Sequence, residues 1–405
     1  MTATPIFRDR GLAALRRTDD GSLFLDKGLV PKKAKGVRIR VKEGDHIVGC
    51  SKVCRPSQDA DSIESRILQA RDTVFEEELF HEIVREARIL GTQGVKARPN
   101  LVQVPLPNTQ EMLLDLVDWD QDHRPDQTTN SELDVLADTT AHCIRILLTH
   151  AHRQNFRRRT QPPPPVAPKR RPAPEYQILR PIMAFLQHKS HTQWLEGVIG
   201  DLSRVLQAAG IECDLKTTKF SSIGTLQPNN IITKVEALAR VFLFPFESTF
   251  TLVTPQSSSR VHIRTNPVAP PFGTHYDLAI KLPQFQDVRP PSRVGLQEEV
   301  SALLTHILLL DLISAISRSQ PPKGQSPWEI SRPHHGELVA SGSCGQKKTM
   351  KVSLSREELA INIYTSQDEG LGELTAKSPT MSQTWRPGTA KPTLFKFVTE
   401  APQSS

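Results

Sequence analysis

Seven of the fourteen residues over 161–174 are proline. Proline fixes φ and has no N–H, so this stretch fits neither a helix interior nor a central strand. It favours an extended polyproline-type conformation and acts as a linker. A chain of 405 residues interrupted in this way is expected to fold as more than one unit. The expected division is an opening segment of strands and turns over 1–58, a helix–hairpin–helix unit over 59–160, the linker over 161–174, and a second unit over 175–405.

The stretches on either side alternate between the two hydrophobic periods. Val37, Ile39 and Val41 alternate with Arg38, Arg40 and Lys42, and Ile47-Val48 return after Glu43-Gly44-Asp45, which predicts a hairpin. From Asp61 or Ser62 the period changes. Ile63, Ile67, Ala70, Val74, Leu79, Ile83, Ala87 and Leu90 follow at spacings of mostly three and four, which sets them on one stripe of a helix. The stripe packs on the chain's own strands or against a partner helix, for which Val74, Leu79, Ile83 and Ala87 are the candidates. Glu64, Arg71, Glu76, Glu77, Glu82, Arg85 and Glu86 occupy the other faces, and the run Glu76-Glu77-Glu78 is expected to be a solvated surface. Gly91 and Gly94 end the helix. Strands over 101–106 and 112–117 precede a polar loop over 118–130. A second amphipathic helix begins near Ser131 and leads into His-Arg-Gln-Asn-Phe-Arg-Arg-Arg.

Beyond the linker, helices are predicted over 176–186 and 194–209. Strands are predicted over 241–246, 250–253, 261–263 and 276–282. A long helix over 296–316, closed by Pro321-Pro322, precedes strands over 338–340, 350–354, 360–364 and 395–398. Hairpin clusters separated by helices give an α+β fold class, long amphipathic helices packed with antiparallel hairpins, in two units joined by the linker.

No apolar run approaches the ~18 residues of a membrane span, and Arg8, Asp9 and Arg10 interrupt the N-terminus where a secretory signal would need an apolar stretch. Cys50, Cys54, Cys143, Cys213 and Cys344 are odd in number and scattered, which fits a reducing cytosolic or nuclear compartment. The net charge is +7. Arg153, Arg157, Arg158, Arg159, Lys169, Arg170 and Arg171 form a tract without one acidic residue, so the rest of the chain sums to about zero. This is a near-neutral protein carrying one basic tract.

Catalytic signatures are missing. Neither G-x-x-x-x-G-K-[ST] nor G-x-G-x-x-G occurs. His81-Glu82-Ile83-Val84-Arg85 begins like a zincin helix but carries Arg85 where the second His belongs. Cys50 and Cys54 lack a second Cys/His pair, and neither His150 with His152 nor His334 with His335 has carboxylate or cysteine companions at metal-ligand spacing. Gly342-Ser343-Cys344-Gly345 reads as a hairpin turn, with a thiol nucleophile at Cys344 as the lesser reading. No catalytic residue, metal or cofactor is expected. The basic–proline–basic tract is the feature that stands out. Arg157, Arg158 and Arg159, a nine-residue spacer, then Lys169, Arg170 and Arg171 resemble a bipartite nuclear-import signal, the other reading being a flexible basic linker that only touches acidic neighbours.

Four stretches in order resemble a known family. They are Leu15-Arg16-Arg17-Thr18-Asp19-Asp20-Gly21-Ser22 leading to Val37-Arg38-Ile39-Arg40-Val41; Ala70-Arg71-Asp72-Thr73-Val74-Phe75-Glu76-Glu77-Glu78-Leu79-Phe80 continuing to Gly94-Val95; His150-Ala151-His152-Arg153-Gln154-Asn155-Phe156-Arg157-Arg158-Arg159-Thr160-Gln161 with the prolines after it; and Tyr176-Gln177-Ile178-Leu179-Arg180-Pro181. Together they resemble the subunit-seventeen family of Mediator in its filamentous-fungal form, over roughly residues 15–215. The resemblance implies a non-enzymatic scaffold in the head module of Mediator, bridging activators and RNA polymerase II in the nucleus. It implies other head subunits as partners, the polymerase machinery through the complex, no direct sequence-specific contact with nucleic acid and no membrane. It further implies a chain lacking the helical N-terminal half usual for the family. The alternative from another class is a stand-alone nucleic-acid-binding protein using residues 153–171. Against it, Phe156 is the sole aromatic residue in that tract, so stacking platforms are missing.

Overall fold

In the computed structural model of the chain, the described residues are 15–25, 34–52, 63–107, 109–118, 132–161, 176–218, 234–254, 256–268, 273–285, 293–319, 326–341, 347–366, 379–389 and 391–400. They fold into two compact units. One comprises Met1–Gln187, Ile223–Pro245 and Asn266–Phe272; the other comprises His188–Ser222, Phe246–Thr265 and Gly273–Ser405.

The first unit opens with a small hairpin of β1 (Leu15–Arg17) and β2 (Leu23–Leu25). Its main sheet contains β3 (Lys35–Glu43), β4 (His46–Cys50), β5 (Lys96–Arg98), β6 (Leu101–Pro105) and β7 (Gln110–Asp118) in the order β4-β3-β7-β6-β5, all antiparallel. Val37, Ile39 and Val41 are fully buried, as their period of two requires. Helices α1 (Ile63–Ile89) and α2 (Glu132–Thr160) pack on this sheet. Gly49 of β4 sits where any Cβ would meet the backbone of Leu133 at 2.7 Å, so only glycine lets α2 approach this closely. The adjacent Cys50 N–H donates to Asp134 Oδ1 at 2.8 Å and fixes the approach. Leu79, Ile83 and Ala87 lie in the unit's core with Val37, Ile39, Met112, Ile144 and Leu148, and Val74 is buried as well.

The chain does not leave this unit at the proline tract. Tyr176, Ile178, Leu179, Ile182, Met183 and Leu186, which follow the tract, are buried in the same core. The first crossing between units therefore falls between Gln187 and His188, with later returns at Ile223 and Asn266, whereas the sequence division set one boundary at 161–174. Those residues begin α3 (Leu179–Ala208), one continuous helix where two were predicted. The polar stretch 187–193 contains neither Gly nor Pro, so nothing in it breaks a helix.

The second unit holds the rest of α3 and two sheets. β8 (Asp214–Thr218), β9 (Phe246–Val253), β10 (Ser258–Asn266) and β11 (Gly273–Lys281) form an antiparallel sheet in the order β11-β10-β9-β8. β12 (Glu329–Arg332), β13 (Glu337–Ser341), β14 (Lys347–Leu354), β15 (Leu359–Ser366) and β16 (Met381–Trp385) form a meander in sequence order.

Two predicted strands are helices. Residues 241–243 end α4 (Lys234–Leu243), which belongs to the first unit, and 395–398 lie in α6 (Leu394–Glu400). Short apolar runs fit either period, and here Glu236 and Arg240, bonded at i,i+4, favour the helix. Helix α5 (Gln297–Arg318) is long and apolar enough to cross a membrane by length and composition. It packs on the meander instead, with Val300, Leu304, Ile307, Leu308 and Ile313 in the core of the second unit.

Candidate functional site

The face of α1 read as solvated carries buried carboxylates. Glu76, Glu78, Glu82 and Glu86 are all less than a tenth exposed, and Glu78 is sealed completely. A bare buried carboxylate is costly, so each needs compensation. Glu76 receives it from three elements. Arg145 of α2 donates Nε to Oε1 at 2.6 Å and Nη2 to Oε2 at 2.9 Å, and the Val37 N–H of β3 donates to Oε2 at 2.7 Å. The same guanidinium donates to the carbonyls of Val37 and Ala141. One bidentate pair thus ties α1, α2 and β3 together.

Glu78 meets α2 about two turns beyond Arg145, at His152. His152 Nε2 is 3.2 Å from its Oε1, and the imidazole meets Phe75 and Tyr176 edge-on. The partner of His152 is thus a carboxylate of another helix, a pairing that spacing along the chain does not register. Glu82 pairs with Arg85 at 2.8 Å. Glu86 has a different task. Its Oε2 accepts the N–H groups of Ile178 (2.8 Å) and Leu179 (2.7 Å), and its Oε1 accepts that of Arg180 (3.1 Å). These are the orphan donors at the start of α3, and Pro181 supplies none. A carboxylate more than 90 residues away in sequence therefore caps this helix and meets the positive end of its dipole. Burial pushes the Glu86 carboxyl above its usual range, against the pull of the three N–H groups and of Arg180.

The other charged feature is the C-terminal end of α2. Arg157, Arg158 and Arg159 fill its last turn and are exposed. Arg157 grips Glu236 of α4 in a bidentate pair, Nη1 to Oε1 at 2.8 Å and Nη2 to Oε2 at 3.2 Å. Arg240 adds a contact of 3.4 Å from the next turn of α4. The hydrogen bond from Arg157 is the main reason the Glu236 carboxyl is held below its usual range. Lys169, Arg170 and Arg171 lie outside the described residues.

In the second unit His188 is fully buried between Thr265 and Ser248, with Nδ1 3.0 Å from Thr265 Oγ1 and Nε2 2.9 Å from Ser248 Oγ. Desolvation lowers its pKa to about 4, so the ring is neutral at physiological pH. A Ser–His contact of this length suits nucleophilic catalysis only where substrate reaches the hydroxyl. Ser248 has no solvent exposure, and the trio is a core network.

This arrangement of α1, α2 and the start of α3 coincides with a family profile. Residues 2–206, just over half of the chain, match the family described as Subunit 17 of Mediator complex. The chain belongs to that family. Among its relatives, Mediator of RNA polymerase II transcription subunit 17 of Emericella nidulans is 65% identical over 414 residues, covering 100% of this chain and 66% of the relative. The proteins of the same name from Aspergillus oryzae and Coccidioides immitis are 54% and 37% identical, covering 99% and 95% of this chain and 65% and 58% of themselves. The chain thus spans about two thirds of the length of the first of these relatives. Among solved structures, a chain from "Structure of the Schizosaccharomyces pombe Mediator head module" is 16% identical with a TM-score of 0.48, covering 73% of this chain and 64% of that one.

The Mediator subunit 17 profile takes in the whole acidic row of α1 and its partners Val37, Arg145, His152 and Ile178 to Arg180, while Glu236 lies beyond it. The remaining sequence candidates are not brought together. Cys50 is half-buried at the end of β4, and Cys54 and residues 342–346, including Cys344, lie outside the described residues. His334 lies 3.1 Å from His306 of α5, an imidazole–imidazole contact. Among the described residues no group of three or more His, Cys, Asp or Glu side chains is placed to hold a metal. Sequence reasoning missed the buried carboxylates, although one signal was present. Glu78, Glu82 and Glu86 repeat at i,i+4, a row of like charges that repels itself on a solvated face and calls for partners elsewhere.

Proposed function

We propose that the chain acts as a non-catalytic scaffold subunit of Mediator, in its head module, linking other head subunits and, through the complex, the RNA polymerase II machinery. The observation that carries this reading is the 65% identity, over the full length of this chain, to a protein named as that subunit. The use of the polar side chains agrees with it. The carboxylates of α1 and the Ser248–His188 pair are engaged in holding the units' own elements in place. Of the apolar stripe of α1, Leu79, Ile83, Ala87 and Leu90 are turned into their own unit, whereas Ile67 is exposed. A nuclear location follows from this function, with Arg157, Arg158, Arg159, Lys169, Arg170 and Arg171 as the import signal.

Affinity purification of the tagged chain from fungal cells, followed by identification of the co-purifying proteins, tests the reading. Recovery of Mediator head subunits in stoichiometric amounts is expected. A purified chain free of Mediator subunits, or a hydrolytic activity lost on Cys344→Ser, would overturn it. For import, a fluorescent fusion with all six basic residues changed to Ala is expected to stay in the cytoplasm when produced without its partners. Normal nuclear accumulation of that fusion would remove the tract from consideration.

A further inference from the structure

The import reading asks for cations presented to an acidic carrier, and the structure holds the first cluster in a form that conflicts with this. Consecutive residues of an α-helix point about 100° apart, so Arg157, Arg158 and Arg159 spread over about 200° of the helix circumference. A groove that reads neighbouring cations needs them on an extended segment. The last turn of α2 is closed by the Gln161 N–H and the Thr160 Oγ1–H, both donating to the Arg157 carbonyl at 3.0 Å. The Arg157 guanidinium is also already engaged. Glu236 takes both of its outer nitrogens in the geometry that a carboxylate of an acidic partner would adopt.

We propose that the cationic end of α2 is a docking surface for the extended acidic groove of a nuclear import carrier, and that Glu236 competes with that carrier from within the chain. The proposal rests on the import reading above and adds the competitor. The closed form has Arg157 on Glu236 and an intact last helical turn. The open form has that turn unwound and the three cations offered together. The ion pair suits an exchangeable latch, because Arg157 is 44% exposed and such pairs are weak enough for a stronger acidic site to displace. Glu236 itself is covered, with Arg157 and Arg240 both bonded to its Oε1, so the competing charge is held where the guanidinium returns to it.

The test is binding of the purified full chain to a recombinant acidic-groove import carrier at physiological salt, comparing wild type with three variants. Glu236→Gln removes the competing charge and is expected to tighten binding about two- to five-fold, the range that an exposed ion pair supports. Hydrogen exchange of the Gln161 amide, read without carrier, is expected to speed up in the same variant. Asp201→Asn, which makes the same change in net charge at the Arg204 and Arg356 pairs of the second unit, is expected to leave binding unchanged. Arg157→Ala combined with Arg158→Ala and Arg159→Ala is expected to lose at least ten-fold. Unaltered or weaker binding by Glu236→Gln, alongside loss in the triple variant, overturns the competition and leaves the import reading standing. Equal tightening by Asp201→Asn overturns it too, since bulk charge then explains the effect. Full binding by the triple variant removes the first cluster from the import signal and overturns the competition with it.

Discussion

Replacing Glu86 with Ala removes one acceptor group and strands three backbone donors. Ile178 and Leu179 are fully buried, so water cannot take over their N–H groups; Arg180 is half-buried and its N–H can be partly rehydrated. A buried donor without an acceptor costs about 1–3 kcal/mol, which puts the gross loss at about 3–6 kcal/mol. Part is returned, because the buried carboxylate that had raised its own pKa is gone. A net loss of about 2–4 kcal/mol follows, localised at the start of α3. Amide hydrogen exchange followed by mass spectrometry reads this directly. Exchange at 178–180 should accelerate about 30- to 700-fold, while peptides from β14 and β15 stay protected. Glu86→Gln keeps one carbonyl oxygen for Ile178 and Leu179 but turns an NH2 towards the Arg180 N–H, and should cost about 1 kcal/mol. The pH dependence carries a sign. The folded carboxyl titrates above its unfolded value of 4.5, so between 4.5 and the raised value the folded state holds the extra proton. Glu86 therefore makes stability fall as pH rises through that window, and the Gln variant should lack this limb. Unchanged protection at 178–180 in the Ala variant would refute the idea that Glu86 caps the helix.

Three further outcomes are expected. Arg145→Met leaves Glu76 buried with the Val37 N–H but no cation, and should cost about 3–5 kcal/mol in urea unfolding; the double change Arg145→Met with Glu76→Leu should recover part of it, as a double-mutant cycle will measure. The second unit should lose stability as pH falls from 6.5 towards 4, because His188 binds a proton in the unfolded chain before the folded one; the loss is on the order of 3 kcal/mol and should vanish in His188→Gln. Gly336 has φ of +68° and an added Cβ would lie 2.2 Å from the Val352 carbonyl oxygen, so Gly336→Ala should destabilise the β13–β14 hairpin by several kcal/mol, seen as a lower melting temperature.

Which parts of this molecule were legible in sequence follows from how far apart the determinants lie. The β3–β4 hairpin, α1 and α2 are set by local period and turn residues, and the alternation over Val37, Ile39 and Val41 or the spacing of mostly three and four from Ile63 to Leu90 reports them within a few residues. The cap on α3 depends on Glu86 meeting Ile178 to Arg180, and the clamp depends on Glu76 meeting Val37 and Arg145, separations that no periodicity registers. Hydropathy treats each glutamate as a surface residue because it counts the charge and not its partners. The same blindness explains the domain boundary. The proline tract was visible, but that the apolar residues after it, from Tyr176 to Leu186, rejoin the first core was not. Strands β8, β12 and β16 escaped notice because their faces are polar or short, and pairing with a neighbouring strand defines them.

The long-range cap also sets a timetable for synthesis. Glu86 leaves the ribosome about ninety residues before the amides it will bind, and ribosomes add about 5–20 residues each second. For roughly 5–20 s the nascent helix α1 carries its acids without the groups that later bury Glu86, and the first unit cannot close. During that interval water must serve the Glu86 carboxylate. Closure around Glu86 is tied to the emergence of a short segment about ninety residues later. Slow or rare codons between the two would lengthen the period in which chaperones and proteases compete for the chain, without altering one residue of the finished protein.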